Sequence, residues 1–218
     1  MFSEVRTLLF KDLSLELRRM HHLNGLLLFV LGTVFLCFLS FSSGLDKEKW
    51  NALFWIIQLF AAIQASGHSF SGEHTNRHIY YYCVASPISV LLSKTIFNFC
   101  LLLITGFGSF FSFWLLLGIP SASILNFLLI IIVASFGFAS ILTLVSAIAW
   151  RAGHNFSLMA ILSFPVMYPF IITLMKTSLL SLNNASFNIM SGYVLVLFLI
   201  SFLAIALGVI LFPYLWKE

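Results

Sequence analysis

Six histidines hold most of the metal-binding chemistry that this 218-residue chain offers. His74 and His78 lie four apart, a spacing that puts two imidazoles on one helical face, where they could ligate a metal ion or a haem iron. With His68 they gather in or beside the polar stretch from Ser71 to Lys94, SGEHTNRHIYYYCVASPISVLLSK. His21 and His22 stand before a long apolar run and His154 stands in a short connection. All six fall where the chain meets a membrane surface, and solvated or lipid-facing histidines are ordinary there, so the histidines read as bystanders. Cys37, Cys83 and Cys100 form no C-x-x-C or paired spacing, which gives no disulfide frame and no thiolate metal site. No His-Glu metal motif and no Ser/Lys dyad at helical spacing falls inside an apolar run, so no catalytic residue and no metal site is expected.

The elements that would position these groups are membrane helices. The chain is 61% hydrophobic and 8% charged, the composition of an integral membrane protein. A bilayer core of roughly 30 Å takes about 20 apolar residues per helix. Five runs lack Asp, Glu, Lys and Arg: Met20 to Leu45, Trp50 to Gly72, Thr95 to Trp150, Ala152 to Met175 and Thr177 to Trp216. The third holds two spans divided at Gly118-Ile-Pro-Ser-Ala-Ser123, and the last holds one, near Gly192 to Phe212, after the polar Ser181-Leu-Asn-Asn-Ala-Ser186. The expected fold is therefore all-α, with six transmembrane helices in one domain over 1–218. Continuous runs of this length exclude a β-barrel, whose strands are short and alternate. The first run is too long for a signal-peptide core and reads as a retained helix.

Lys and Arg in short loops set orientation. With the N-terminus inside, Arg6, Lys11, Arg18, Arg19, Arg77, Lys94, Arg151 and Lys217 are cytoplasmic and Lys47, Lys49 and Lys176 are not, eight against three. Both termini are therefore expected in the cytoplasm, and Ser71 to Lys94 becomes the longest cytoplasmic connection. Residues 1–20 differ from the spans: Phe2, Val5, Leu9, Leu13, Leu17 and Met20 recur at threes and fours, while Lys11, Ser14 and Arg18 line another face. This is the pattern of an amphipathic helix on membrane lipid, with Arg6, Lys11, Asp12, Glu16 and Arg18 on its polar side; a partner-binding helix is the competing reading.

No ionisable residue falls at the middle of a span, which argues against a carrier driven by protons or sodium. Energy for any transport would have to come from another chain. Gly106-Phe-Gly108-Ser-Phe-Phe-Ser112 and Ser135-Phe-Gly137-Phe-Ala-Ser140 interleave small and aromatic residues, as a helix-packing seam does, or an aromatic-lined path for a flat apolar ligand. In Ser163-Phe-Pro165-Val-Met-Tyr-Pro169 two prolines four apart should kink the fifth span. In the polar stretch, Tyr80, Tyr81 and Tyr82 suit the headgroup boundary and Ser86-Pro87 suits the restart of a helix.

The pattern E-x-x-x-R-x-x-Y-Y-Y-x-x-x-S-P-x-x-x-x-x-S-K from Glu73 to Lys94, followed by Asn98, resembles the cytoplasmic connection of the cytochrome c maturation protein B family, the haem exporter protein B family. Leu8-Leu-Phe-Lys-Asp-Leu13 with Glu16-Leu-Arg18 is similar to that family's amphipathic N-terminus, and the Ser-Pro and downstream Lys are shared more loosely with other ABC-2-type permeases. The resemblance implies a homodimeric permease of the bacterial inner membrane. Its partners would be a separate ABC ATPase subunit, a haem-handling membrane subunit, a small single-span subunit and, indirectly, a periplasmic haem chaperone. It implies no catalytic residue in this chain and no firmly bound cofactor: ATP would act through the partner, and haem would be a possible cargo. The coupling segment, residues 67–94, would dock on the ATPase, with Glu73, Arg77, Tyr80, Tyr81, Tyr82, Ser86, Pro87 and Lys94 in that role. No nucleic-acid partner is implied. Two alternatives stand beside it: an ABC-2 permease for a drug, lipid or glycan, and a non-transporting membrane scaffold.

Overall fold

A computed structural model of the chain describes residues 2–19, 21–41, 45–71, 86–118, 124–152 and 156–217. Among these, seven α-helices follow one another without a strand: α1 (Phe2–Arg19), α2 (His21–Ser40), α3 (Lys47–Ser71), α4 (Pro87–Leu117), α5 (Ile124–Arg151), α6 (Phe156–Leu182) and α7 (Phe187–Lys217). Their boundaries follow local chemistry. Pro87 opens α4 in the first turn, where no amide donor is needed, and Gly118 leaves it at φ 71°, a backbone region that side chains resist. Asn184, at φ 56°, closes α6 while the Ala185 N–H donates to the Leu180 carbonyl at 3.0 Å, a Schellman stop that uses Asn in place of Gly. The polar run Ser181 to Ser186 therefore ends α6 at Leu182 and turns over Asn183 to Ser186. Pro165 and Pro169 lie inside α6, which continues through both.

Five helices, α2, α4, α5, α6 and α7, are long and apolar enough to cross a membrane. The sixth expected span is α3. It has 25 residues but carries Lys47, Glu48, Lys49, Asn51, Gln58 and Gln64, and its hydropathy is diluted accordingly. It is nevertheless deeply packed, with Trp50, Asn51, Phe54, Trp55, Gln58, Ala61, Ala62, Ala65 and Ser66 all buried. One core runs through α2 to α7. α5 lies at its centre, against α3, α4, α6 and α7, and is the most enclosed of the five apolar helices.

Ring contacts fix how the helices run. Phe110 stacks on Phe127 with centroids 5.5 Å apart, and Phe99 meets Phe136 at 6.0 Å, so α4 and α5 are antiparallel. Trp50 donates from Nε1 to the Gly118 carbonyl at 3.1 Å, and Lys47 donates to the Leu182 carbonyl at 2.9 Å. The start of α3 thus closes the last turns of α4 and α6 at one end of the bundle. At the other end Val90, Leu91, Ala147 and Phe212 gather with Leu8 and Trp150, bringing α1 to the start of α4 and the ends of α5 and α7. Arg6, Lys11, Arg18, Lys94 and Arg151 belong to elements at this second end, and Lys47, Lys49 and Lys176 to elements at the first. That division of charges is the one expected from the sequence.

The small residues of α4 and α5 pack internally. A Cβ on Gly106 would stand 2.9 Å from Ile131 Cγ2 and 3.3 Å from Gln58 Nε2, so a helix neighbour needs the absence of a side chain there. Phe110 and Phe138 of these segments are buried, and Phe110 stacks on Phe127. Phe107 and Phe111 face outward, 39% and 57% exposed, so the seam is made by the small residues and only part of the rings.

Candidate functional site

Of the residues expected to form the coupling segment, Glu73, Arg77, Tyr80, Tyr81 and Tyr82 lie outside the described residues, as do the side chains of His68, His74, His78 and His154. Ser86, Pro87 and Lys94 lie within them, and the structure joins these three to α1. Ser86 precedes α4 in an extended conformation (φ −70°, ψ 142°) and makes no side-chain cap of its own. The cap comes from Glu4. Its Oε2 accepts from the Ser86 N–H at 3.3 Å and from Ser86 Oγ at 3.0 Å, while Ser86 Oγ and Ser89 Oγ stand 2.6 Å apart. A carboxylate there meets unpaired amides and the positive end of the helix dipole. Hydrogen bonds from Ser89, then from the Ser86 amide and hydroxyl, lower the pKa of Glu4 to about 2.

Two turns along each helix, Asp12 Oδ2 meets Lys94 Nζ at 3.1 Å, and Asp12 Oδ1 meets Lys11 Nζ at 3.1 Å. Asp12 and Lys94 are each 7% exposed. Glu4 contacts residue 86 and Asp12 contacts residue 94, so α1 and the start of α4 run in the same sense for about 12 Å at 1.5 Å per residue. One turn further, Glu16 Oε1 accepts from the Leu23 N–H at 2.7 Å and caps the start of α2. Leu8 completes the row by packing into the small cluster with Val90 and Leu91. Glu4, Leu8, Asp12 and Glu16 recur every four residues and form the face by which α1 binds the protein. Asp12 and Glu16, two of the polar residues named for this helix, thus lie on its inner face with Glu4, which the apolar periodicity does not single out. Phe10 and Leu17 face outward, 68% and 65% exposed, and Arg6 and Arg18 are exposed as well. α1 therefore turns an acidic row with Leu8 toward the protein and a mixed face of Arg6, Phe10 and Leu17 outward.

One turn below Lys94 lies Asn98, fully buried. Its Oδ1 accepts from Ser69 Oγ at 2.6 Å, and its Nδ2 donates to Thr143 Oγ1 at 2.8 Å. Ser146 Oγ donates to the Ser66 carbonyl at 2.8 Å. Ser69 lies near the end of α3 and Asn98 near the start of α4, so residues 72–85 leave and re-enter a pair of helices that are bonded to each other.

α3 carries two further polar tiers that the sequence reading did not weigh. At mid-length Gln58 Nε2 donates to the Leu102 carbonyl at 3.3 Å, and Gln58 Oε1 accepts from Ser109 Oγ at 3.2 Å. Nearer its start, Asn51 Nδ2 donates to the Met175 carbonyl at 3.0 Å, and Asn51 Oδ1 accepts from Ser178 Oγ at 2.7 Å and from Trp55 Nε1 at 3.0 Å. These are neutral amides whose bonds are made within the protein, which suits a support rather than proton chemistry. Among the described residues no group of three or more His, Cys, Asp or Glu stands close enough to hold a metal ion.

No family model, no curated protein and no solved structure matches the chain.

Proposed function

We propose that the chain is the permease subunit of an ABC complex, and in particular of one that serves cytochrome c maturation, coupling a partner's ATP hydrolysis to haem export or to release of a haem-loaded periplasmic chaperone. The observation that carries the mechanical part is the double fastening around residues 72–85. Ser69 and Asn98 bind the two flanking helices together, and Glu4 holds the point where the chain re-enters at Ser86. A push on that segment reaches α1, α3 and α4 as one body. Among the described residues the buried ion pair of Asp12 with Lys94 ties helix to helix near one end, and the Asn51, Gln58 and Asn98 tiers are neutral, so the chain is suited to transmit force rather than to carry a coupling ion. The maturation assignment rests on the resemblance of Glu73 to Asn98, together with that of Leu8 to Leu13 and Glu16 to Arg18.

In this reading α3 is the sixth span. Its Asn51 and Gln58 amides and Ser69 hydroxyl are bonded to α6 and α4, so that these groups can lie at membrane depth without facing lipid. Both termini and residues 72–85 then face the cytoplasm, where the ATPase works, in a bacterial inner membrane. Two measurements test the proposal separately. Solubilisation in mild detergent should recover the co-expressed ATPase with the chain, and recovery of the chain alone would remove the permease reading. Deletion should abolish c-type cytochromes; intact cytochromes with a retained ATPase would leave a permease for another cargo.

A further inference from the structure

α1 does not lie across the end of the bundle; it runs beside α4. Glu4 meets Ser86, 82 positions on, and Asp12 meets Lys94 at the same offset. A Cβ on Gly108 of α4 would stand 3.4 Å from Leu27 of α2, at nearly that offset again. α1 and α2 therefore follow one path along α4, broken where Glu16 caps the start of α2. α4 has 31 residues, about 46 Å at 1.5 Å per residue, and a hydrocarbon core of roughly 30 Å takes about 20 of them. Trp50 and the neighbouring Lys47 mark the far boundary, where Trp50 donates to the Gly118 carbonyl. Counted back from Gly118, about 20 residues reach Asn98, so the first turns of α4, Pro87 to Phe97, stand beyond the hydrocarbon. At the shared offset Phe10 is level with residue 92 and Arg6 with residue 88, about 9 Å and about 15 Å past Asn98. An upright helix at that height turns its faces sideways instead of pressing one of them on lipid.

Ser3, Arg6, Phe10, Ser14 and Leu17 recur at three, four, four and three residues on the face opposite Glu4, Leu8, Asp12 and Glu16, and all five are exposed. The acids of α1 are turned inward, Glu4 to Ser86, Asp12 to Lys94 and Glu16 to the Leu23 N–H. Among the described residues, the exposed charges of α1 are thus Arg6 and Arg18, both basic. An aromatic ring beside an arginine is what the core of a protein contact favours, whereas hydrocarbon satisfies neither the arginine nor the two serine hydroxyls. The stripe also adjoins residues 72–85, because Glu4 holds Ser86, where that segment rejoins the bundle.

We infer that this stripe is a second docking surface for the soluble ATPase subunit, with Phe10 seated in an apolar pocket of that subunit and Arg6 paired with one of its carboxylates. The inference rests on the reading of the chain as a permease with this end in the cytoplasm, and it requires α4 to span the bilayer. It adds a surface that the coupling segment, residues 67–94, does not contain. Docking there holds α1 and, through Glu4 and Asp12, the start of α4. The partner then grips a span directly as well as the loop that leads to it.

The test uses the full chain in inside-out membrane vesicles, with Cys37, Cys83 and Cys100 replaced by Ser and the co-expressed ATPase subunit retained or stripped. Thr7→Cys, at an exposed position beside the stripe, should react with a charged thiol reagent when the ATPase is stripped, and about tenfold more slowly when it is bound. Leu28→Cys, 76% exposed on α2, should stay unreactive in both states as a lipid-facing control. Arg6→Glu and Phe10→Ala should each raise the dissociation constant for the ATPase about tenfold, the effect of losing an interface anchor. Thermal unfolding of both should match the parent, because α1 is held by its opposite face. The inference is overturned if Thr7→Cys is as unreactive as Leu28→Cys without the ATPase, which puts α1 on lipid or against a second copy. It is overturned equally if bound ATPase leaves that reactivity unchanged, or if either variant binds as the parent does. A parent that retains no ATPase removes the permease reading and this inference together, whereas a parent that holds the ATPase with Thr7→Cys unprotected removes this inference alone.

Discussion

Asp12 of α1 and Lys94 of α4 form an ion pair at 3.1 Å with 7% of each residue exposed, between a helix read from sequence as a membrane-surface element and a helix read as a span. Lys94 belongs to the segment that the family resemblance gives to coupling, and in the fold its ammonium contacts Asp12 of α1. The pair therefore joins α1 to the start of α4.

Breaking this pair on one side should be costly. Lys94→Met takes one of its two lysines from the Asp12 carboxylate, and Asp12→Leu removes the anion that Lys11 and Lys94 share. Losing one partner of a buried pair costs about 3–5 kcal/mol, whereas replacing both by apolar residues is often close to neutral. Thermal unfolding in detergent should show both single variants well below the parent and Asp12→Leu/Lys94→Met recovering most of the loss. A double variant as unstable as the singles would mean that the site needs charge for a different reason.

Acid should loosen α1 through Glu4. Its pKa is lowered from 4.5 to about 2 in the folded chain, so the folded state favours the carboxylate. The stabilisation is fully present above pH 4.5 and is lost as pH falls from 4.5 toward 2. Hydrogen exchange of the amides in α1 and the first turn of α4 should rise across that window. Glu4→Gln should raise it at neutral pH and flatten the dependence; an unchanged profile in Glu4→Gln would assign the acid response to another group.

Gly137 is the point where α5, α6 and α7 meet, and the ring of Phe170 occupies the place a side chain would take. A methyl added there would overlap that ring and stand 3.0 Å from Ser201 Oγ. Gly137→Ala should destabilise the fold by roughly 1–3 kcal/mol, as overpacking does. Gly137→Ala/Phe170→Leu should regain part of this, which thermal unfolding of the three variants will show.

Asn98 offers a functional test of the fastening around residues 72–85. Asn98→Leu keeps the volume but removes the donor to Thr143 Oγ1 and leaves Ser69 Oγ with the Ala65 carbonyl at 3.5 Å, at about 1–2 kcal/mol. Stability should fall modestly. If the proposed coupling holds, ATP hydrolysis in the reconstituted complex should persist while c-type cytochrome formation falls several-fold. Equal loss of both, or of neither, would separate Asn98 from coupling.

Much of the scaffold was legible in the sequence because it depends on near neighbours. Unbroken apolar runs gave the helices, Ser86-Pro87 marked the restart of α4, and Gly118 and Asn184 stand in the turns that their types favour. The acidic row of α1 was readable as Glu4, Leu8, Asp12 and Glu16 at intervals of four, but the stronger apolar periodicity of Val5, Leu9 and Leu13 masked it. The polar tiers of α3 were not readable. Hydropathy averages Asn51 and Gln58 into their neighbours, and whether such a group is satisfied depends on residues far along the chain: Leu102 lies 44 positions from Gln58. For α6 the prolines suggested a kink, while the exposure of Tyr168 depends on which side α5 covers, a tertiary fact.

The bond between Ser178 and Asn51 spans 127 positions. At 5–20 residues per second of synthesis, Asn51 emerges roughly 6–25 s before its partner exists. Gln58 meets its partners in α4 sooner, and Asn51 is the amide left bare through that interval. If α3 is the sixth span, biogenesis of this protein therefore has a waiting period, in which α3 is sheltered by the insertion machinery or by α2 until α6 arrives. A ribosome stalled before residue 178 should leave α3 extractable from the membrane, and one stalled well beyond it should not.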